Sequence, residues 1–161
     1  MANEKVAIMM GSKSDLPIME EAAKQLKEFG VLYEMKVLSA HRTPKETATY
    51  AESLEQKGIK VVICGAGASA ALAGVVSAHT NIPVIGVPID STALNGMDAL
   101  LSTVQMPPGV PVATVSVGKA GAINAALLAL RILSLEDKAF KQKLDKFKEE
   151  QKKKILDINL S

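Results

Sequence analysis

The apolar stretches of this chain are short, and three of them are each followed at once by a loop of small and polar residues. The first loop, residues 11–15, reads Gly-Ser-Lys-Ser-Asp and follows Val-Ala-Ile-Met-Met. The second loop, residues 39–44, reads Ser-Ala-His-Arg-Thr-Pro, and the third loop, residues 65–70, reads Gly-Ala-Gly-Ala-Ser-Ala. In an open parallel sheet the carboxyl ends of the strands lie along one edge, where ligands bind. We therefore expect the three loops to converge on one site.

Strand signals and helix signals alternate along the whole chain. Five strands, each expected to be apolar on both faces, are predicted at residues 6–10, 35–38, 61–64, 84–87 and 112–115. Strands of this kind, separated by helices, indicate a doubly wound parallel sheet with right-handed crossovers. The sequence therefore predicts an α/β fold in a single domain, residues 1–161, with an extra helix at the C-terminus.

Helical spacing and cap residues place the helices between these strands. The first helix is expected to have Asp15 as its N-cap and to end at Gly30, and the second to begin at Pro44. Residues 70–79 and 120–133 predict two more helices, of which the second is rich in alanine and leucine.

The last helix, predicted over residues 136–154, is mostly charged yet carries one apolar stripe. Phe140, Leu144 and Phe147 recur at intervals of four and three residues, so they share one face of the helix. The lysine run of this helix is typical of a solvated face, but the stripe needs an apolar partner. The alanine-rich helix before it also offers more apolar surface than one sheet face requires. We therefore predict that the C-terminal helix packs on a neighbouring subunit.

Composition excludes several classes of protein. The chain has 161 residues, of which 48% are hydrophobic and 22% charged, and its formal charge of +2 is too small to indicate nucleic-acid binding. No apolar run reaches the ~18 residues of a membrane span, and the first residues lack the apolar core of a signal peptide. The single cysteine, Cys64, lies in an apolar strand and is expected to be buried and inert. We expect a cytoplasmic protein that binds neither nucleic acid nor membrane.

The first loop joins a strand to the start of a helix, where free amide groups and the helix dipole favour an anion. Ser12 and Ser14 add hydroxyl donors, whereas Asp15 would repel a phosphate and suits a sugar hydroxyl or a helix cap. Turn chemistry alone explains such a loop equally well, so by itself it is weak support for a site.

The second loop is more specific, because it places a histidine beside an arginine at the end of a strand. Both side chains would need polar partners if they were buried, so packing alone does not explain them. Arg42 can bind a phosphate through two hydrogen bonds, and His41 can exchange a proton near neutral pH. The alternative for His41 is a cap on the next helix. The pair favours a site that holds a phosphorylated small molecule and moves a proton.

The third loop matches the dinucleotide-binding pattern G-x-G-x-x-A, and Asp90 follows beyond the next strand. An NAD(P)-binding protein is therefore an alternative, although no residues remain for the substrate-binding region that such enzymes carry. An FMN protein is a weaker alternative, since the aromatic residues lie in predicted strands and helices. No group of His, Cys and carboxylate residues has the spacing of a metal site.

Six motifs, taken together and in order, resemble one family of small purine-biosynthetic enzymes. This is the family of N5-carboxyaminoimidazole ribonucleotide mutases, the catalytic subunits of bacterial phosphoribosylaminoimidazole carboxylase. The matching motifs lie at residues 10–15, 39–44, 65–67, 93–98, 104–107 and 118–121. Because they span nearly the whole chain, the resemblance implies the flavodoxin-like fold and the activity of that family.

The resemblance implies an isomerase that needs no metal, biotin, ATP or other cofactor. Such an enzyme moves a carboxyl group from the exocyclic nitrogen of an aminoimidazole ribonucleotide to the ring carbon C4, on the route to IMP. By family position, the general acid and base is His41. The residues that the resemblance assigns to the phosphate and ribose are Ser12, Ser14, Asp15 and Arg42. Those that it assigns to the pocket for carbon dioxide are Ser39, Gly65, Ala66 and Gly67.

One departure from the family pattern bears on the reaction. Mutases of this family usually carry a histidine and a proline where this chain has Ala71 and Ala73. The related carboxylases, which add carbon dioxide directly to aminoimidazole ribonucleotide, typically have different second and third loops, so the mutase is favoured and the carboxylase stays an alternative. Family members are octamers with sites at subunit junctions. The resemblance thus implies a homo-octamer, in which residues 95–98 and 105–107 of a neighbour could complete the site.

Overall fold

The computed structural model describes residues 5–159, and its sheet has five strands. The strands are β1 (Val6–Met10), β2 (Tyr33–Val37), β3 (Val61–Gly67), β4 (Val84–Ile89) and β5 (Ala113–Thr114). Their order across the sheet is β2-β1-β3-β4-β5, and every neighbouring pair is parallel. The predicted doubly wound α/β fold is confirmed.

Six α-helices in the described part of the chain cover the two faces of this sheet. They are α1 (Leu16–Glu28), α2 (Pro44–Ser53), α3 (Leu72–Ala78), α4 (Met97–Val104), α5 (Gly118–Leu133) and α6 (Lys138–Leu156). Helices α1, α5 and α6 lie on one face, and α2, α3 and α4 lie on the other. Between residues 5 and 159, no helix is long and apolar enough to cross a membrane.

Burial differs between the central strands and the edge strands. Every residue of β1 and β4 is buried, as expected for strands covered by helices on both faces. The same expectation is wrong for β2 and β5, whose residues are half-buried or exposed. Both lie at an edge of the sheet and pair with one strand only, so their outer sides stay open. Glu34 of β2, for example, accepts a hydrogen bond from the Tyr50 hydroxyl at 2.7 Å.

The ends of several elements differ from the sequence prediction. Strand β5 has two residues instead of the four predicted at 112–115, and β3 extends three residues beyond Cys64. Helix α4 was not predicted, because residues 91–98 have the composition of a loop. The sequence signal for this helix is the spacing of Met97, Leu101 and Val104, which recur at intervals of four and three residues.

The apolar stripe of α6 packs on the core of its own chain. The contact with a neighbouring subunit was predicted because the stripe needs an apolar partner, and the structure supplies that partner within the chain. Leu144 is 7% exposed and joins the cluster formed by α1 and α5, while the Phe147 ring meets Phe29 edge-on at 5.5 Å between centroids. The stripe is therefore not free to cover a neighbouring subunit. Only the end of the helix, with Ile155 and Leu156, exposes large apolar side chains.

Candidate active site

The three loops converge at the carboxyl edge of the sheet, as predicted, around a cavity of about 370 Å³. Eight predicted site residues line this cavity: Ser12, Ser14, Asp15, Ser39, His41, Arg42, Ala66 and Gly67. They come from the ends of β1, β2 and β3, which are adjacent in the sheet. The strand order therefore brings together residues that are far apart in the sequence.

Gly65, the ninth predicted site residue, lies beneath the cavity instead of in its lining. It is buried in β3, where its carbonyl oxygen accepts a hydrogen bond from the Gly11 N–H at 3.3 Å. The side chain of Met19 packs directly on its α-carbon, so that a β-carbon at this position would collide with the methionine sulfur. Gly65 therefore supports the start of the first loop and does not face a ligand.

The first loop forms a tight turn of 3₁₀ helix over Lys13–Asp15, capped by Ser12. The Asp15 carboxylate accepts the Ser12 N–H at 3.0 Å, and Ser12 Oγ accepts bonds from the N–H and hydroxyl of Ser14 at 3.3 and 2.9 Å. Asp15 occupies the N-cap position of α1, as predicted, but its side chain makes no hydrogen bond to that helix. Pro17 lacks an N–H in the first turn, which leaves the carboxylate free to turn back on Ser12.

Asp15 is the buried charge of the site, with 5% of its surface exposed. Burial raises the pKa of its carboxyl group, while the hydrogen bonds from Ser12 and Ser14 and the charge of Arg42 act in the opposite direction. A carboxylate held in this way can accept a hydrogen bond from a sugar hydroxyl in the cavity.

The second loop carries His41 and Arg42 at its exposed tip. The Arg42 Nη2 atom donates to the Gly11 carbonyl oxygen at 3.0 Å, and its Nε donates to Ser39 Oγ at 3.4 Å. The guanidinium thus bridges the first and second loops and keeps further N–H groups for a ligand. Thr43 occupies the N-cap position of α2, so the alternative role of His41 as the cap of that helix is wrong.

The third loop does not form the glycine turn of a dinucleotide site. Both of its glycines lie within β3, and α3 begins only at Leu72. A dinucleotide-binding motif instead needs its glycines in the turn between strand and helix. Gly67 has a local role, because a β-carbon there would collide with the side chain of Ser91. The geometry therefore does not favour the NAD(P) alternative.

The segment 91–98, which follows β4 at the same edge of the sheet, contributes Ser91 to the lining, whereas residues 92–98 and 105–107 lie outside this cavity. The lining residues that the sequence did not predict include Ser69, Ala70 and Leu72, which follow the third loop's glycines. Cys64 is buried as predicted, and burial raises the pKa of its thiol. His79 also lies outside the cavity, with its Nδ1 atom 3.1 Å from Glu52 Oε1.

Known proteins resemble this chain over nearly its whole length, in sequence and in fold. A sequence profile of the family described as AIR carboxylase matches residues 5–154. The chain belongs to the AIR carboxylase family. An N5-carboxyaminoimidazole ribonucleotide mutase of Pyrococcus abyssi is 61% identical over 92% of this chain and 84% of that protein. The Bacillus subtilis protein of the same name is 56% identical over 94% of each chain. The crystal structure of Treponema denticola PurE matches with a TM-score of 0.87 and 35% identity, over 95% of this chain and 94% of that one.

In this member of the AIR carboxylase family, part of the cavity wall is apolar. Ala66, Ala70, Ala71 and Leu72 form this apolar wall, and the lining also includes the hydroxyls of Ser69 and Ser91. Ala71, which the resemblance places at the usual histidine position of the mutases, lies in this lining. The cavity therefore combines polar groups, suited to a sugar phosphate, with apolar side chains.

Proposed function

We propose that this protein is an N5-carboxyaminoimidazole ribonucleotide mutase. The observation that carries the proposal is the cavity in which His41 and Arg42 meet Ser12, Ser14 and Asp15. Relatives at 61% and 56% identity bear the name of this enzyme, which supports the assignment. The reaction is an isomerisation that moves a carboxyl group from the exocyclic nitrogen to the ring carbon C4 of the substrate.

The polar residues of the cavity account for binding of the ribonucleotide. Arg42 is already oriented by Gly11 and Ser39, and its remaining N–H groups can bind the 5′-phosphate together with the hydroxyls of the first loop. Asp15 accepts a hydrogen bond from a ribose hydroxyl. The phosphate and sugar then anchor the substrate while its base extends towards His41.

His41 supplies both proton transfers of the proposed reaction. Protonation of the carbamate nitrogen breaks its bond to the carboxyl group, which leaves as carbon dioxide and makes the ring carbon nucleophilic. Attack of that carbon on carbon dioxide forms the new bond, and removal of the ring proton restores aromaticity. One imidazole that first donates a proton and then accepts one serves both steps. The apolar wall at residues 70–72 confines the carbon dioxide between them.

The alternative is a carboxylase that joins carbon dioxide directly to aminoimidazole ribonucleotide, and Ala71 is the observation that favours it. Steady-state assays of the purified protein with each substrate decide between the two. The mutase is expected to convert the carbamate substrate without ATP or added metal. Efficient turnover of aminoimidazole ribonucleotide with bicarbonate, and none of the carbamate, would establish the carboxylase instead. Tight binding of NAD(P) or FMN without purine turnover would contradict both.

We also propose that the protein works in the cytoplasm as a homo-octamer, the assembly that the resemblance implies. Support for self-association comes from α4 and the turn before it, where Leu94, Met97, Leu101 and Val104 are between 48 and 63% exposed. A continuous apolar face of this kind is unfavourable in water and is typical of an interface. Ser91, which precedes this segment in the chain, lines the cavity.

A further inference from the structure

Thr43 occupies the N-cap position of α2, yet its side chain does not cap that helix. Threonine is favoured at this position because its oxygen can accept a hydrogen bond from a free N–H of the first turn. Here the hydroxyl makes no such bond, although Pro44 follows directly and begins the helix. The side chain is used elsewhere.

The Thr43 hydroxyl turns back towards the start of the second loop. Its Oγ1 atom accepts the Ser39 N–H at 2.9 Å and donates to the Ser39 carbonyl oxygen at 3.0 Å. The Thr43 N–H donates to the same carbonyl oxygen at 2.9 Å. Three hydrogen bonds therefore close a ring whose tip is formed by the residues between, including His41 and Arg42.

The ring is bonded to the buried side of α2 at one end and to the Arg42 side chain at the other. On one side, Thr47 is fully buried and donates its hydroxyl to the Thr43 carbonyl oxygen at 2.8 Å. On the other side, Ser39 Oγ accepts bonds from the N–H and Nε of Arg42 at 3.2 and 3.4 Å. A continuous series of hydrogen bonds thus runs from the core of α2 to the guanidinium in the cavity.

We propose that Thr43 is a positioning residue, which holds His41 in place through its bonds to Ser39. This inference rests on the proposed mutase activity. Thr43 does not line the cavity and does not touch the substrate, so its effect passes through the shape of the loop. The phosphate ligand Arg42 is also held from outside this ring, by the Gly11 carbonyl oxygen at 3.0 Å, and the hydroxyls of the first loop do not depend on the ring. Loss of the Thr43 hydroxyl therefore lowers the rate of proton transfer more than it weakens substrate binding.

The first test compares three variants in steady-state assays with the carbamate substrate. Thr43→Val keeps the shape of the side chain but removes the hydroxyl, and its kcat is expected to fall about 10-fold to 100-fold while KM changes less than about threefold. Thr43→Ser keeps the hydroxyl and is expected to behave like the wild type. Thr49→Val, at an exposed threonine of the same helix, is the matched control and should retain full activity.

A second measurement reports on the conformation of the second loop and does not depend on turnover. The chain has two histidines, His41 and His79, so the side-chain NMR spectrum of histidine contains two ring signals to assign. Thr43→Val is expected to shift or broaden the signal of His41 and leave that of His79 unchanged.

The two measurements separate failure of the inference from failure of the proposed function. If the wild type does not convert the carbamate, the mutase proposal fails, and the His41 signal alone decides the role of Thr43. In an active enzyme, an unchanged kcat or an unchanged His41 signal in Thr43→Val would overturn the positioning role. Equal impairment of Thr43→Ser and Thr43→Val would also overturn it, since the hydroxyl would then be irrelevant.

Discussion

The guanidinium of Arg42 donates a hydrogen bond to the carbonyl oxygen of Gly11 at 3.0 Å and so joins two loops 31 residues apart in the chain. The same side chain is held by Ser39 Oγ. The cation is thus oriented before any ligand arrives, and the entropy of ordering it is not lost on binding.

Replacement of Arg42 by lysine tests this arrangement. A lysine ammonium lacks the planar fork, so it cannot bind the Gly11 carbonyl, Ser39 and a phosphate oxygen in the same geometry. Because hydrogen bonds to charged groups contribute about 1.5–3 kcal/mol, KM for the carbamate substrate is expected to rise about tenfold or more, with a smaller change in kcat. Arg131→Lys, at an exposed position on α5, is the matched control. Equal KM values for Arg42→Lys and the wild type would contradict the proposed phosphate contact.

The raised pKa of Asp15 predicts how its replacement changes stability with pH. A carboxyl whose pKa is higher in the folded protein than in the unfolded one binds more protons when folded. Its contribution to the free energy of unfolding therefore falls as pH rises between the two pKa values. Asparagine can still accept the Ser12 N–H but has no charge to bury. We expect the free energy of unfolding of Asp15→Asn to increase relative to that of the wild type as pH rises from ~3 to ~7. Urea unfolding at several pH values measures this difference.

Asp145 provides the contrast for this experiment. The hydrogen bond from Lys141 lowers the pKa of the Asp145 carboxyl. This ion pair therefore stabilises the fold above the pKa that Asp145 has in the unfolded chain, and the stabilisation is lost as pH falls. Asp145→Asn is therefore expected to show a small change of the opposite sign over the same range. A relative stability of Asp15→Asn that falls as pH rises would show that burial is not the dominant influence on that carboxyl.

Much of the fold and of the site was predictable because both depend on local sequence patterns. Central strands are apolar and end in polar loops, and parallel pairing brings those ends together. The placement of Gly65 was not predictable in the same way, because β3 continues to Gly67. Successive residues of a strand face opposite sides of the sheet, and Gly65 faces Met19. The partner of Phe147 is Phe29, and periodicity alone does not reveal such a long-range contact.

Leu144→Ala tests the corrected placement of the α6 stripe. Because Leu144 is 7% exposed and packs in the core, the free energy of unfolding is expected to fall by about 2–5 kcal/mol. Leu135→Ala is the control, since this leucine is 85% exposed and its loss is expected to cost less than about 0.5 kcal/mol. Chemical unfolding at several protein concentrations provides both values. A loss for Leu144→Ala that appears only at concentrations where subunits associate would place the leucine at an interface instead.

Leu101→Lys tests whether the apolar face of α4 mediates assembly. A charge in the middle of that face would have to be buried against a neighbour, which is costly without a partner. We expect the wild type to sediment as a large homo-oligomer and Leu101→Lys to sediment as a smaller species with native circular dichroism. Leu135→Lys places the same charge on an exposed leucine elsewhere and is the control. Assembly that survives Leu101→Lys and is lost in Leu135→Lys would assign the interface to another surface.

The most direct test of His41 as the general acid and base is the turnover of the carbamate substrate by His41→Asn, measured together with nucleotide binding. His79→Asn, outside the cavity, is the control and is expected to keep wild-type activity. We expect kcat of His41→Asn to fall by ~10²–10⁴, the loss typical of a missing general acid and base, while nucleotide affinity is retained. A near-normal kcat in His41→Asn would contradict this role of His41, because the proton would then have to be moved by Asp15 or by water.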